Sequence, residues 1–284
     1  MTLRGFLRLQ EGRVDGCDFA LHHLLVCHLL EDQLEKAALI MLHGAQRVPL
    51  LETHILPYSL KALGEDFNFY SYIFKINDLP ASDLELVEPP LTCLERSREW
   101  LNECSSLLAT CSPETHAELE AFQPLLLLAS KSEDSTSGFG GYSSSLVWRT
   151  ITLSANKNSF AEMLIQLIHE MAHQLLFALA TDVPLAYNHP NEIFASPVRQ
   201  DLRPMDGLLH ACFVNARVHE VLGRIQDTPS YATLNSENQE IIAATRLKTV
   251  NIVATSLATI DASARLSALG ERVVTASRQA VGLT

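Results

Sequence analysis

Leu167-Ile168-His169-Glu170-Met171-Ala172-His173-Gln174-Leu175 is the stretch around which the rest of the chain is read. It holds His-Glu-x-x-His inside an apolar, helix-forming run. On an α-helix, positions i and i+4 lie on one face, one turn apart. His169 and His173 can therefore aim two imidazoles at one point, which is what a divalent metal requires. The surroundings favour the helix. Ser159 and Glu162 read as a capping box, and Phe160, Met163, Leu164, Leu167, Ile168, Met171 and Leu175 recur at helical spacing. The plain alternative is a buried helix whose histidines hydrogen-bond within the core.

Outward from this helix, the chain reads as mainly α with a small β element. Residues 18–42 are rich in Leu, Ala and His and predict one long helix, continuous or interrupted, with His22, His23 and His28 as helix surface and partial core. Residues 66–76, with Phe67, Phe69, Tyr70, Tyr72, Ile73 and Phe74, fit a strand or a short aromatic helix equally well. Pro80 and the pair Pro89-Pro90 punctuate a linker. Residues 92–108 and 115–129 predict two more helices, the second kinked or split by Pro124. Lys131 to Ser145, rich in Ser, Thr and Gly, predicts a loop that is either a plain connection or a lid. Residues 146–153 alternate loosely and predict a strand. Asp182 to Arg203 predicts a long loop, and Pro204 suits the first turn of a helix running to about Ile225. Two regions are expected, a helical one over 1–130 and a metal-binding catalytic one over 131–284, with a single continuous domain as the other option.

The 284 residues carry a net charge of −12, with 47% apolar residues and a mean hydropathy of +0.10. That balance argues against nucleic acid or an anionic membrane as partner. The amino-terminal residues lack the apolar core of a signal peptide, and no run reads as a membrane span, so a soluble cytoplasmic protein is expected. The six cysteines form no Cys-x-x-Cys pair, which points to reduced thiols rather than a thiolate zinc site.

Two histidines do not complete a catalytic metal site; three protein ligands are usual. Glu192, His189 and His210 are the candidates downstream. Glu192, nineteen positions after His173, suits a two-His, one-Glu zinc peptidase in which Glu170 activates water. A third histidine would instead suit Zn²⁺ or Fe²⁺. The His-x-x-Gly-x-x-His continuation of another peptidase class is absent. An iron site that uses a 2-oxo acid also needs an arginine fork for the distal carboxylate, and Arg199 and Arg203 stand just ahead of His210.

The segments Ile165 to Gln174 and Ala195-Ser196-Pro197-Val198-Arg199-Gln200-Asp201-Leu202-Arg203-Pro204-Met205-Asp206-Gly207-Leu208-Leu209-His210 resemble the paired motifs of the HExxH motif-containing peptide-modification family. Its members accompany ribosomally made peptide natural products. The carboxyl-terminal Leu266-Ser267-Ala268-Leu269-Gly270-Glu271-Arg272 is similar to that family's closing segment. The resemblance covers roughly residues 140–284. It implies Fe(II)- and 2-oxoglutarate-dependent hydroxylation at the β-carbon of a residue in a precursor peptide. It further implies His169, His173 and His210 as metal ligands and Arg199 or Arg203 as the cosubstrate anchor, with Glu170 orienting a ligand or a water. Val198 and Ala211 depart from the family's Trp and Gly at those positions. Two other readings stand beside it: a zinc metallopeptidase with Glu170 as general base, and a non-catalytic scaffold that binds a precursor peptide.

Overall fold

A computed structural model describes residues 16–46, 54–76, 84–122, 124–135, 138–198 and 201–283. Among these the protein is mainly helical with a small mixed sheet. The chain forms two compact units, each assembled from two stretches: residues 1–99 with 118–157, and residues 100–117 with 158–284. The units thus divide elsewhere than at residue 130, and the first holds the sheet as well as helices.

In the first unit, the helical stretch expected over 18–42 takes its interrupted form, as α1 (Gly16–Leu30) and α2 (Leu34–Gln46). The break falls at Asp32, whose φ of 57° is left-handed, while the Gln33 amide bonds back to the His28 carbonyl. After β1 (His54–Pro57) and the single turn α3 (Leu60–Leu63), the aromatic stretch resolves as a helix, α4 (Asp66–Ile76). Its Tyr70 and Phe74, four apart, are buried together. Short β2 (Leu86–Val87) precedes α5 (Leu91–Cys111) and α6 (Pro113–Phe122), both of which run across the division between the units.

The expected helix over 115–129 is corrected. It ends at Phe122, and Leu125–Lys131 is a strand, β3. Pro124 cannot continue the helix, and an unbroken apolar run is the pattern of a strand covered on both faces. Leu125 through Ser130 are all buried. β3 pairs in parallel with β1 and with β5 (Thr150–Ser154), and antiparallel with β2. β4 (Gly141–Ser143) adds antiparallel to β5, so part of the expected 131–145 loop is strand. Residues 145–147 form a 3₁₀ turn rather than the start of β5. Against this sheet pack Leu21, Leu25, Tyr58, Tyr70 and Phe74.

The second unit is built on α7 (Phe160–Leu179), α8 (Met205–Gln226), a single turn α9 (Pro229–Ala232), α10 (Ser236–Ser263) and α11 (Ala268–Ala280). The expected capping box opens α7: the Glu162 amide donates to Ser159 Oγ, and the Asn158 amide donates to the Glu162 carboxylate. The Ala161 amide, buried in the same turn, donates to Asn238 Oδ1 of α10 at 3.0 Å. Pro204 occupies the position just before α8 rather than inside it. The long 182–203 loop carries a two-stranded ladder, β6 (Ile193–Phe194) with β7 (Arg203–Pro204). By length and composition α10 is apolar enough to cross a membrane, contrary to the expectation of no such run. Its Ile242, Val253, Leu257 and Ile260 are nonetheless buried. The unit's core joins Ala172 and Leu176 of α7, Leu208, Leu209, Cys212 and Phe213 of α8, and Val273 and Val274 of α11.

Candidate metal centre

His169, His173 and Phe177 succeed one another at four-residue spacing along α7 and form one stripe. The neighbouring stripe, Gln166, Glu170 and Gln174, turns inward, with Glu170 and Gln174 buried. Ala172 and Leu176 pack against Leu208 and Leu209, and this contact brings α8 close enough for its His210 to meet the histidine stripe. The Nδ1 atoms of His173 and His210 lie 3.0 Å apart, one imidazole donating to the other. Ring centroids are 5.0 Å apart for His169 and His173, and 5.2 Å for His173 and His210. Phe177 stands beside both His173 and His210, at 6.2 and 5.1 Å. All three imidazoles are half-buried.

These spacings can be set against what one ion requires. Imidazole nitrogens about 2.1 Å from a shared metal, at angles between a right angle and tetrahedral, stand about 3.0–3.4 Å apart, with ring centroids about 4.5–5.2 Å apart. The His173–His210 separation and both centroid distances fall within those limits. Among the described residues, no group of three or more His, Cys, Asp or Glu is placed so that it could hold a metal ion as it stands. The arrangement is a hydrogen-bonded imidazole pair with a third ring alongside. The donor chemistry fits an all-imidazole set once the donating ring of the pair carries its proton on Nε2, which leaves both Nδ1 lone pairs free.

The other described candidates make contacts of their own. Glu192 accepts from the His189 amide, from Asn188 Nδ2 and from the Arg265 guanidinium. These donors hold its carboxyl down at about pH 2, the His189 amide contributing most. Its contacts tie the 188–192 turn to Arg265 and do not reach the histidines. His189 accepts from the Asn191 amide. Arg203, in β7, places Nε 2.9 Å from Asp201 Oδ2, with its side chain largely shielded. Arg199 lies outside the described residues. Glu170 accepts from Gln166 Nε2 at 2.6 Å, one turn back along α7.

Phe177 and Gln166 were not singled out by the sequence reading. The stripe spacing from His173 and from Glu170 was the available signal for each. The Ser-Gly loop expected as a possible lid contributes β4 to the sheet of the first unit. No protein-family model matches the chain, and no curated protein matches it.

Proposed function

We propose that this protein is a mononuclear non-haem iron hydroxylase acting at the β-carbon of a residue in a ribosomally synthesised precursor peptide. The observation that carries the reading is the 3.0 Å approach of His210 to His173 on the stripe shared with His169. It supports a third imidazole rather than Glu192 as the remaining ligand, and neutral imidazoles suit Fe²⁺ as well as Zn²⁺. The resemblance of the two motifs supplies the reaction. Fe(II) with 2-oxoglutarate and O₂ would supply the oxidation of a C–H bond to C–OH, with succinate and CO₂ as the other products.

In this reading His169, His173 and His210 hold the ion. Arg203 turns its terminal Nη edge to the distal carboxylate while Nε stays with Asp201, or Arg199 takes that role. Phe177 walls the site and excludes water from one side. Glu170, fixed by Gln166 and shut from solvent, orients the ligand helix rather than moving a proton. The acidic chain suits a peptide in the cytoplasm better than nucleic acid or a membrane surface.

The zinc metallopeptidase reading takes Glu192 beside His169 and His173 as the ligand set and makes Glu170 the general base. The scaffold reading keeps peptide binding without turnover. Mass spectrometry of a co-expressed precursor peptide separates the three. A gain of one oxygen is expected, lost on His210→Ala and retained on Glu192→Gln. Glu170→Gln should retain turnover, with a loss of about 10–100-fold at most. A shortened peptide, with Glu170→Gln abolishing cleavage, would establish the peptidase instead. An unaltered peptide that stays bound after His210→Ala would establish the scaffold.

A further inference from the structure

The connection between the two histidine-bearing helices leaves apolar side chains on its outside. Leu179, Val183, Tyr187, Ile193, Val198 and Leu202 are all exposed. Scattered singly, such side chains need no explanation, but gathered on one connection they mark an interaction surface. Ile193 belongs to β6, and Leu202 immediately precedes β7.

The backbone of this ladder has one edge to spare. Ile193 stands opposite Pro204, and Phe194 opposite Arg203. Pro204 has no N–H to give. The reciprocal bonds therefore join Phe194 to Arg203, and the N–H and C=O of Ile193 point to the other edge of β6. Neither group bonds to another described residue outside the ladder. Side chains alternate along this edge: Asn191, Ile193 and Ala195 are exposed, whereas Glu192, Phe194 and Ser196 are half-buried. Phe194 packs into the core of the unit. Arg203, opposite it, lays its stem on Gly207 in the first turn of α8, where an added Cβ would stand 3.2 Å from Arg203 Cβ. One face of the ladder is thus committed to α8, and the Ile193 side is open among the described residues.

We infer that the precursor peptide docks as an extended strand on the free edge of β6, pairing with Ile193 and laying apolar side chains beside it. An extended backbone supplies both an acceptor for the Ile193 N–H and a donor for its C=O, which is how exposed sheet edges take up peptides. His210 follows Pro204 by six positions, roughly 9 Å along a helix. About three residues of extended peptide span that distance, so the modified residue lies about three positions beyond the pairing. The inference rests on the peptide-modifying reading above and adds how the peptide is held.

Calorimetric titration of the full-length protein with acetyl-Lys-Val-Lys-Val-Lys-Val-amide tests it, beside two versions N-methylated at every valine or at every lysine. Alternate amides of an extended strand point to opposite edges, so each version blocks one edge of the peptide. Side chains and charge are unaltered, which separates backbone pairing from the attraction of a cation to an acidic chain. One methylated version should bind about 10-fold more weakly or worse, and the other within about 3-fold of the parent peptide. Amide exchange over residues 191–195 should slow when the parent peptide binds. Ile193→Ser should weaken the parent peptide about 3- to 10-fold, whereas Leu247→Ser, exposed on α10, should leave it unchanged. Equal affinities for the three peptides, equal losses from both methylations, or no binding would overturn the assignment. These readouts do not depend on turnover. A precursor that gains oxygen while the probe fails to bind removes this edge alone, and an unaltered precursor beside a probe that binds as expected removes the hydroxylase alone.

Discussion

At Glu192, hydrogen bonds from the His189 amide, Arg265 and Asn188 stabilise the ionised carboxylate and lower its pKa from 4.5 to about 2. A depressed carboxyl contributes stability that is present above its unfolded pKa and disappears as pH falls through the folded one. Thermal melts of the parent and Glu192→Gln should therefore differ most at neutral pH. The gap should close between about pH 4.5 and 2, and a constant gap would refute this role. Residue chemistry of this kind was only partly legible. Glu192 was a plausible zinc ligand by spacing, because spacing does not reveal Arg265, seventy-three positions on. His210 was legible through the motif that ends on it. Phe177 was not, since a phenylalanine in an apolar helix does not announce that it borders a site.

At the scale of elements, two glycines seat helices against their neighbours with different tolerances. Gly270, in the first turn of α11, lies so close to Leu185 that an added Cβ would strike the Leu185 carbonyl oxygen. The Ser267 amide already donates to that same carbonyl, so neither side has room to move. Gly270→Ala should cost about 1–3 kcal/mol or more, read as a lower midpoint in urea with an unchanged slope. For Gly223, inside α8, the nearest neighbour of an added Cβ is the Arg246 guanidinium, at 2.9 Å. That flexible side chain can shift, and Ala gains about 1 kcal/mol of helix propensity over Gly. Gly223→Ala should come out near neutral. A larger loss at Gly223 than at Gly270 would refute the comparison. The α7 and α8 helices were legible because their apolar positions keep helical spacing over many turns. Leu125–Ala129 was misread because an unbroken apolar run suits a buried helix and a buried strand alike, and only its parallel partners decide.

For the whole molecule, the sequence suggested a boundary near residue 130, where polar composition begins. The compact units instead interleave along the chain, because β3 lies before that point and its partner β5 after it. Composition marks loops and says nothing of which strands pair across them. A fragment of residues 131–284 would carry β4 and β5 without β3, leaving Ile151 and Leu153 and a row of backbone donors and acceptors unpaired. It should appear in the insoluble fraction, whereas the full chain should remain soluble under the same expression conditions. A soluble fragment with full helical ellipticity for its length would contradict the interleaved division.

The hydrogen bond from the Ala161 amide to Asn238 also bears on synthesis at the ribosome. His169 and His173 emerge first, on a helix whose opening turn still lacks one acceptor. His210 follows later, and Asn238 later again, on a helix that Asn235 must itself start by accepting from the Asn238 amide. A nascent chain paused before residue 238 thus presents three imidazoles on an incompletely tethered scaffold. The helix that carries His169 and His173 therefore gains this acceptor in its opening turn only once α10 has left the exit tunnel.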